Sequence, residues 1–142
     1  MKVITLTPKH ESSIRDGESH VMGVAADLRT LTDATERWEE LGVPFVEVIK
    51  GEAGEELLHQ REHSFKGFIQ SIYNDLAPEM HHQYMHDVAD GRIVFNVPVN
   101  RDNSEAVVRV AQSVGARHIA RYGVAEESYE SPPAVYSGHP RI

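Results

Sequence analysis

Four histidines of this 142-residue chain come in two pairs whose spacing suits metal binding. His59 and His63 are four residues apart, and so are His82 and His86. Residues four apart share one face of a helix, so each pair can offer two imidazoles to one divalent cation. If the two helices face each other, the four histidines form a zinc, iron or nickel site. A metal-binding protein or metal-dependent enzyme is therefore one functional hypothesis.

A simpler interpretation of these histidines stays open beside that one. The chain contains no His-Glu-x-x-His sequence, and nothing in the sequence shows that the two pairs meet in space. Histidines on amphipathic helices commonly act as partly buried hydrogen-bonding groups or as surface residues. If the histidines have these structural or surface roles, we expect the protein to bind no cofactor. The alternative is that they bind a divalent metal ion.

Two arginines near the end of the chain are candidates for contact with an anion or a partner. Side chains alternate along a strand, so Arg117 and Arg121 are predicted to share one side of a strand with Ile119. A small anion or the carboxylate of a partner would dock there. No serine-nucleophile or phosphate-loop motif accompanies them. We therefore assign no catalytic residue, favour a non-enzymatic role and leave enzymatic activity open.

Composition excludes several classes of function. The chain carries a net charge of −8, with a pI near 5.5, which argues against a nucleic acid as partner because such binding rests on Lys and Arg. Cysteine is absent, so disulfides and thiolate metal sites are excluded. No apolar run approaches the roughly 20 residues that a membrane helix needs, and the start of the sequence lacks a signal-peptide pattern. We expect a cytoplasmic protein that does not enter a membrane.

The order of predicted elements occurs twice, at an offset of 73 residues without a gap. Residues 21–50 read as strand, helix, glycine and strand, and residues 92–123 repeat that order. Gly42 and Gly115 occupy the same place in the two units. Two such units in tandem predict an α+β fold of the ferredoxin-like type, with a four-stranded antiparallel sheet and both helices on one face.

One domain of common size suits this length, and composition shifts divide the chain around it. The segments are an N-terminal arm at 1–20, a single α+β domain at 21–123 with a helical insert at 51–91, and a C-terminal tail at 124–142.

The repeated pattern also makes local predictions. Trp38 lies on an apolar helical stripe and is expected to be buried against the sheet. Gly42 and Gly115 each follow a helix and are expected to have positive φ, as glycine helix stops do. Thr30 or Thr32 is expected to cap the first helix, with its hydroxyl accepting from the backbone.

One face of the predicted sheet needs a cover other than the two repeated helices. The strand at 93–99 carries apolar residues on both sides. Candidates for the cover are the insert, whose last helix is predicted to begin at Pro78, the apolar arm at 3–6 and the tail at 132–136. A second subunit is the remaining candidate. We expect a homo-oligomer, most simply a twofold dimer in which an arm crosses to the partner.

The chain resembles a family of small bacterial proteins that contain general-stress-protein-like domains. That family has a Gly-Glu-rich segment and a helical stretch between two strand-helix-strand units, and its closing unit ends in a Gly-Ala-His-like segment and an aromatic-Gly pair. The resemblance implies a stress-linked cytoplasmic protein without an agreed activity. The matching positions are residues 51–58, Glu62, His63, Tyr84, residues 91–94 and residues 115–123.

The leading functional hypothesis is a non-enzymatic cytoplasmic protein of stress type that acts through homo-oligomerisation or partner binding. The histidine-based metal site is the alternative. A third possibility is a small-molecule sensor whose ligand lies between the sheet and the insert.

Overall fold

The computed structural model describes residues 1–7, 13–14, 18–51, 78–122 and 135–137. Three helices and six strands occur in these ranges. In chain order they are β1 (Lys2–Thr5), β2 (His20–Ala25), α1 (Leu28–Glu40), β3 (Phe45–Ile49), α2 (Pro78–Ala89), β4 (Ile93–Pro98), α3 (Ser104–Ser113), β5 (Arg117–Tyr122) and β6 (Val135–Ser137).

The six strands form one mixed sheet in the order β1-β3-β4-β2-β5-β6. The four central strands pair in antiparallel fashion, whereas β1 pairs with β3 and β6 pairs with β5 in parallel. The prediction of four antiparallel strands therefore describes the centre of the sheet but not its two outer strands. The arm and the tail each add a strand, because the edges of β3 and β5 offer unpaired backbone groups to them.

The first face of the sheet, the side that contacts α1 and α3, is packed with apolar side chains. Trp38 is fully buried there, as its helical stripe predicted. Its ring centroid lies 5.2 Å from that of Phe95, and its indole Nε1 donates to the backbone oxygen of Val107 at 3.1 Å. The other buried residues of this cluster include Val21, Leu31, Ala34, Val46, Val97, Ala111 and Ile119.

The two helices that cover this face end as predicted, but the first of them begins with a different cap. The N-cap of α1 is Asp27, whose carboxylate accepts from the backbone N–H of Thr30 at 2.9 Å. The prediction of a threonine cap is therefore wrong: the aspartate stands at the turn before the helix, and Thr30 donates. Gly42 and Gly115 have φ of 91° and 82°, which confirms the predicted left-handed helix stops.

The second face of the sheet, opposite to α1 and α3, has its own buried cluster. Helix α2 begins at Pro78, as predicted, and packs Tyr84 and Val88 onto this face. Leu6, just after β1, is also buried there. The last helix of the insert and the N-terminal arm therefore cover part of this face. Among the described residues no helix is long and apolar enough to cross a membrane.

Candidate functional site

Four buried polar side chains cross the second face, one on each central strand. Glu47 of β3 is paired with Asn96 of β4, and His20 of β2 is paired with Tyr122 of β5. All four are at most 4% exposed. Because paired residues point to the same side of a sheet, the four form a continuous row. We call this row the polar band.

Within the polar band, His20 and Asn96 form a hydrogen bond with each other, and each side chain has a second polar atom that could form another. His20 Nδ1 lies 2.7 Å from Asn96 Oδ1. Burial lowers the pKa of His20 to about 4, so the ring is neutral at pH 7. An amide oxygen only accepts, so Nδ1 carries the proton and Nε2 is an acceptor. Among the described residues, neither Nε2 nor the amide Nδ2 of Asn96 has a hydrogen-bond partner.

This donor–acceptor pair does not depend on how the amide is turned. If the Asn96 amide were rotated, its nitrogen would donate to Nδ1, Nε2 of His20 would carry the proton, and Oδ1 would be the free acceptor. In both arrangements the pair presents one unused donor group and one unused acceptor. Leaving such groups unpaired in a buried environment costs on the order of 1–3 kcal/mol each.

The two outer members of the polar band are fixed by their own contacts. The carboxylate of Glu47 accepts from the backbone N–H of Ser13 at 2.7 Å, so part of the N-terminal arm lies over the band. The ring of Tyr122 stacks on that of His20 with centroids 5.2 Å apart. These contacts hold both ends of the row in place. The middle pair, His20 and Asn96, is the part with unused hydrogen-bonding groups.

A second polar group, the Asp87 cluster, lies where β4 and β5 begin. The carboxylate of Asp87, on α2, is 1% exposed. Its Oδ1 lies 3.3 Å from Arg92 Nη1 and 3.8 Å from Arg117 Nη2, and its Oδ2 lies 3.7 Å from His118 Nε2. We define the Asp87 cluster as these four residues. It ties helix α2 to the sheet through charge pairs.

The backbone at His118 is held in an unusual conformation by α2. His118 has φ of 54°, a left-handed value that non-glycine residues adopt at a cost. Its carbonyl oxygen accepts from the hydroxyl of Tyr84 at 2.7 Å. Burial raises the pKa of Tyr84 well above its usual range, so the hydroxyl stays a donor. Burial also lowers the pKa of His118, although the charge of Asp87 opposes this shift.

The same conformation creates a β-bulge that changes the positions of the two predicted arginines. Met22 pairs with Ala120 but Val24 pairs with Arg117, so β5 has one extra residue there. Arg117 therefore lies on the second face with Val24, whereas Arg121 pairs with Val21 of the first face. The prediction that the two arginines share one side of the strand is wrong, because the bulge shifts the alternation.

The two arginines consequently line two different cavities, which lie at opposite ends of the sheet. Arg117 lines a cleft of about 190 Å³ together with Arg92. Arg121 lines a cavity of about 70 Å³ together with Arg101 and Ser104. Anion binding at either arginine stays a prediction, but the two cannot bind one small anion together.

The predicted histidine site is only partly within the described residues. His59 and His63 lie outside them. His82 and His86 both lie on α2, so their helical spacing is as predicted. The side chain of His86 is 68% exposed, and its Nε2 lies 3.4 Å from a carboxylate oxygen of Asp90. No group of three or more metal-ligating side chains occurs in the described part of the chain.

Sequence reasoning missed the polar band although a signal for it was present. Glu47 is the one charged residue in the apolar strand β3, and Asn96 is the one polar residue among the apolar positions of β4. A polar residue inside such a run marks a buried polar position. For Asp87 no comparable signal exists, since an acidic residue near the end of a polar helix is ordinary.

Comparisons of the chain with protein-family models, curated proteins and solved structures give no match. The resemblance to general-stress-protein-like domains therefore stays a prediction.

Proposed function

We propose that this protein is a non-enzymatic binding protein that holds a small ligand against the polar band. The observation that carries the proposal is the His20–Asn96 pair, which is buried on two central strands and has one donor and one acceptor unused within the described residues. Native proteins rarely bury polar groups without partners. A ligand that supplies the missing partners accounts for the cost of placing them there.

The pair also indicates the chemistry of the ligand. One unused donor and one unused acceptor match a group that both donates and accepts, such as a hydroxyl or a carboxamide. His20 is neutral at pH 7, and a charged ligand would lose its hydration against a ring that cannot compensate its charge. A small, uncharged, hydroxyl- or amide-bearing molecule is therefore the favoured class. This corresponds to the sensor hypothesis, with the ligand on the covered face of the sheet.

The order β3-β4-β2-β5 of the antiparallel centre, with α1 and α3 on one face, supports a ferredoxin-like core. We propose a cytoplasmic protein of stress type that acts as a homo-oligomer or with a partner. The family resemblance supports the stress-type role, and the apolar residues on both sides of the strand at 93–99 support association with a second subunit or a partner.

Native mass spectrometry tests ligand binding directly. Protein purified without denaturation from the cells that naturally produce it is expected to carry a small-molecule mass adduct, which unfolding and refolding in clean buffer removes. His20→Leu is expected to lose the adduct, and His86→Leu, at an exposed histidine, is expected to keep it. Native protein without an adduct would contradict the proposal, as would an adduct that His20→Leu retains.

A metal-binding role is the second candidate, and one detail of the sequence favours it. His59, Glu62 and His63 stand in the order His-x-x-Glu-His, the spacing in which inverted zinc-peptidase motifs place two ligands and a general base. Elemental analysis of native protein is expected to find zinc, iron or nickel near one equivalent, and a His59→Ala, His63→Ala double variant is expected to lose it. Metal-free native protein would remove this candidate.

A further inference from the structure

The Asp87 cluster borders a cleft that the proposed ligand site does not use. Arg92 and Arg117 line this cleft of about 190 Å³, together with Val24, Ala26 and Gly115. The guanidinium-bearing side chains are 33% and 54% exposed, so both remain accessible to solvent. The cleft combines two cations, Arg92 just before β4 and Arg117 at the start of β5, with a wall of small and apolar residues.

The buried carboxylate of Asp87 positions both guanidinium groups without using all their donors. Asp87 Oδ1 is shared by Arg92 Nη1 and Arg117 Nη2, and Arg92 Nη1 also contacts Asp90 at 3.2 Å. Each guanidinium has five N–H donors on three nitrogens. These ion pairs engage one nitrogen of each arginine, so within the described part of the chain the other nitrogens remain for a ligand. An arginine held in this way loses little side-chain freedom when it binds.

The charged side chains around the cleft balance one another, despite the acidic net charge of the chain. Arg92 and Arg117 oppose Asp87 and Asp90, but the Asp90 side chain is 47% exposed and its charge is screened by water. His118, which faces Asp87, adds a positive charge whenever it is protonated. Among the described residues, the buried Asp87 is therefore the carboxylate that most strongly opposes an anion approaching the two arginines.

We propose that Arg92 and Arg117 form a binding site for a small oxyanion, the phosphate or carboxylate group of a small molecule. Guanidinium groups bind both kinds of oxyanion through paired N–H donors. The site is independent of the polar band, since the two use different side chains. It also gives Arg117 the role of anion contact that the sequence predicted, with Arg92 as the partner that the sequence did not indicate.

Titration of isotope-labelled protein with sulfate, phosphate and acetate tests this site. Anion is added at constant ionic strength maintained with chloride, and the backbone amide signals of Ala26 and Gly115 are followed by NMR. Arg117→Gln is expected to weaken binding by about tenfold or more, because one charge-assisted contact is lost. Arg109→Gln, at an exposed arginine of α3 paired with Glu105, is expected to leave binding unchanged.

The outcomes separate a built site from general ionic effects. Stronger binding of sulfate and phosphate than of acetate assigns a phosphate-type ligand, and the reverse order assigns a carboxylate. Arg117→Lys, which keeps the charge but not the fork of donors, is expected to restore binding only in part. Equal binding by wild type and Arg117→Gln, or signal changes that chloride alone reproduces, would overturn the proposal.

Discussion

Each face of the sheet carries a buried cluster, but the two clusters are built from different kinds of residue. On the first face, the buried cluster of Trp38, Phe95 and their neighbours is apolar throughout. On the second face, apolar residues such as Met22 and Val94 are interrupted by His20, Asn96 and the other members of the polar band. The first face thus supplies stability through burial of apolar area. The second face gives up part of that stability to bury polar groups, which we propose to be the groups that bind the ligand.

The largest effect is expected on the first face. Trp38→Ala should lower the free energy of unfolding by about 3–5 kcal/mol, because it removes the largest buried side chain and its hydrogen bond to Val107. Urea denaturation followed by circular dichroism measures the loss. Leu28→Ala, at a residue 57% exposed, is the control and should cost less than about 1 kcal/mol. Similar losses for both variants would show that the first face does not dominate stability.

A pH-dependent effect is expected on the second face. The pKa of His20 is lowered from 6.5 to about 4 in the folded protein, so between these values the unfolded chain binds the proton more readily. The contribution of neutral His20 to the free energy of unfolding is therefore fully present above pH 6.5 and is lost as the pH falls toward 4. The loss should reach about 3 kcal/mol, which corresponds to the shift in pKa.

Unfolding measurements between pH 7 and pH 4 check this expectation, with His20→Gln as the matched variant. Glutamine keeps a polar side chain but does not titrate, so the slope of stability with pH should be smaller in the variant than in the wild type. The carboxylates of the chain contribute equally to both proteins and cancel in the difference. Identical slopes would mean that His20 is not buried in its neutral form.

A smaller effect is expected at the two helix stops next to the first face. Gly42 and Gly115 have positive φ, and a side chain at either would meet no atom within 4 Å. Replacement by valine should therefore cost about 1–2 kcal/mol through backbone strain alone. Asparagine, which tolerates this conformation better, should cost less at both positions. A thermal-unfolding series of the four variants measures these costs, and unequal costs at the two sites would weaken the view that the units are equivalent.

The sequence predicted the parts of the fold that depend on a regular apolar period. The stripe around Trp38 and the alternation along β4 follow from side-chain geometry in helices and strands, and both occur as expected. The glycine stops follow from the steric freedom of that residue. Because these features depend on local sequence, they could be predicted from a single amino-acid sequence.

Features that depend on pairing between distant segments could not be read in this way. The bulge at His118 depends on its position opposite β2 and on the hydrogen bond from Tyr84. The parallel pairing of β1 depends on an open edge of β3, since an isolated four-residue strand has no preferred direction. The Asp87 cluster needs α2 to dock on the sheet. Such contacts arise only in the folded chain, so neither candidate site was fully predictable.

The strands at the two ends of the sheet also influence how copies of the chain can associate. In the described part of the chain, the outward edges of the sheet belong to β1, with four residues, and β6, with three. Short edge strands offer an incoming strand few backbone groups, and proteins commonly use them to resist edge-to-edge polymerisation. At high concentration, copies of this protein are therefore expected to resist growth into continuous fibrils through these two edges.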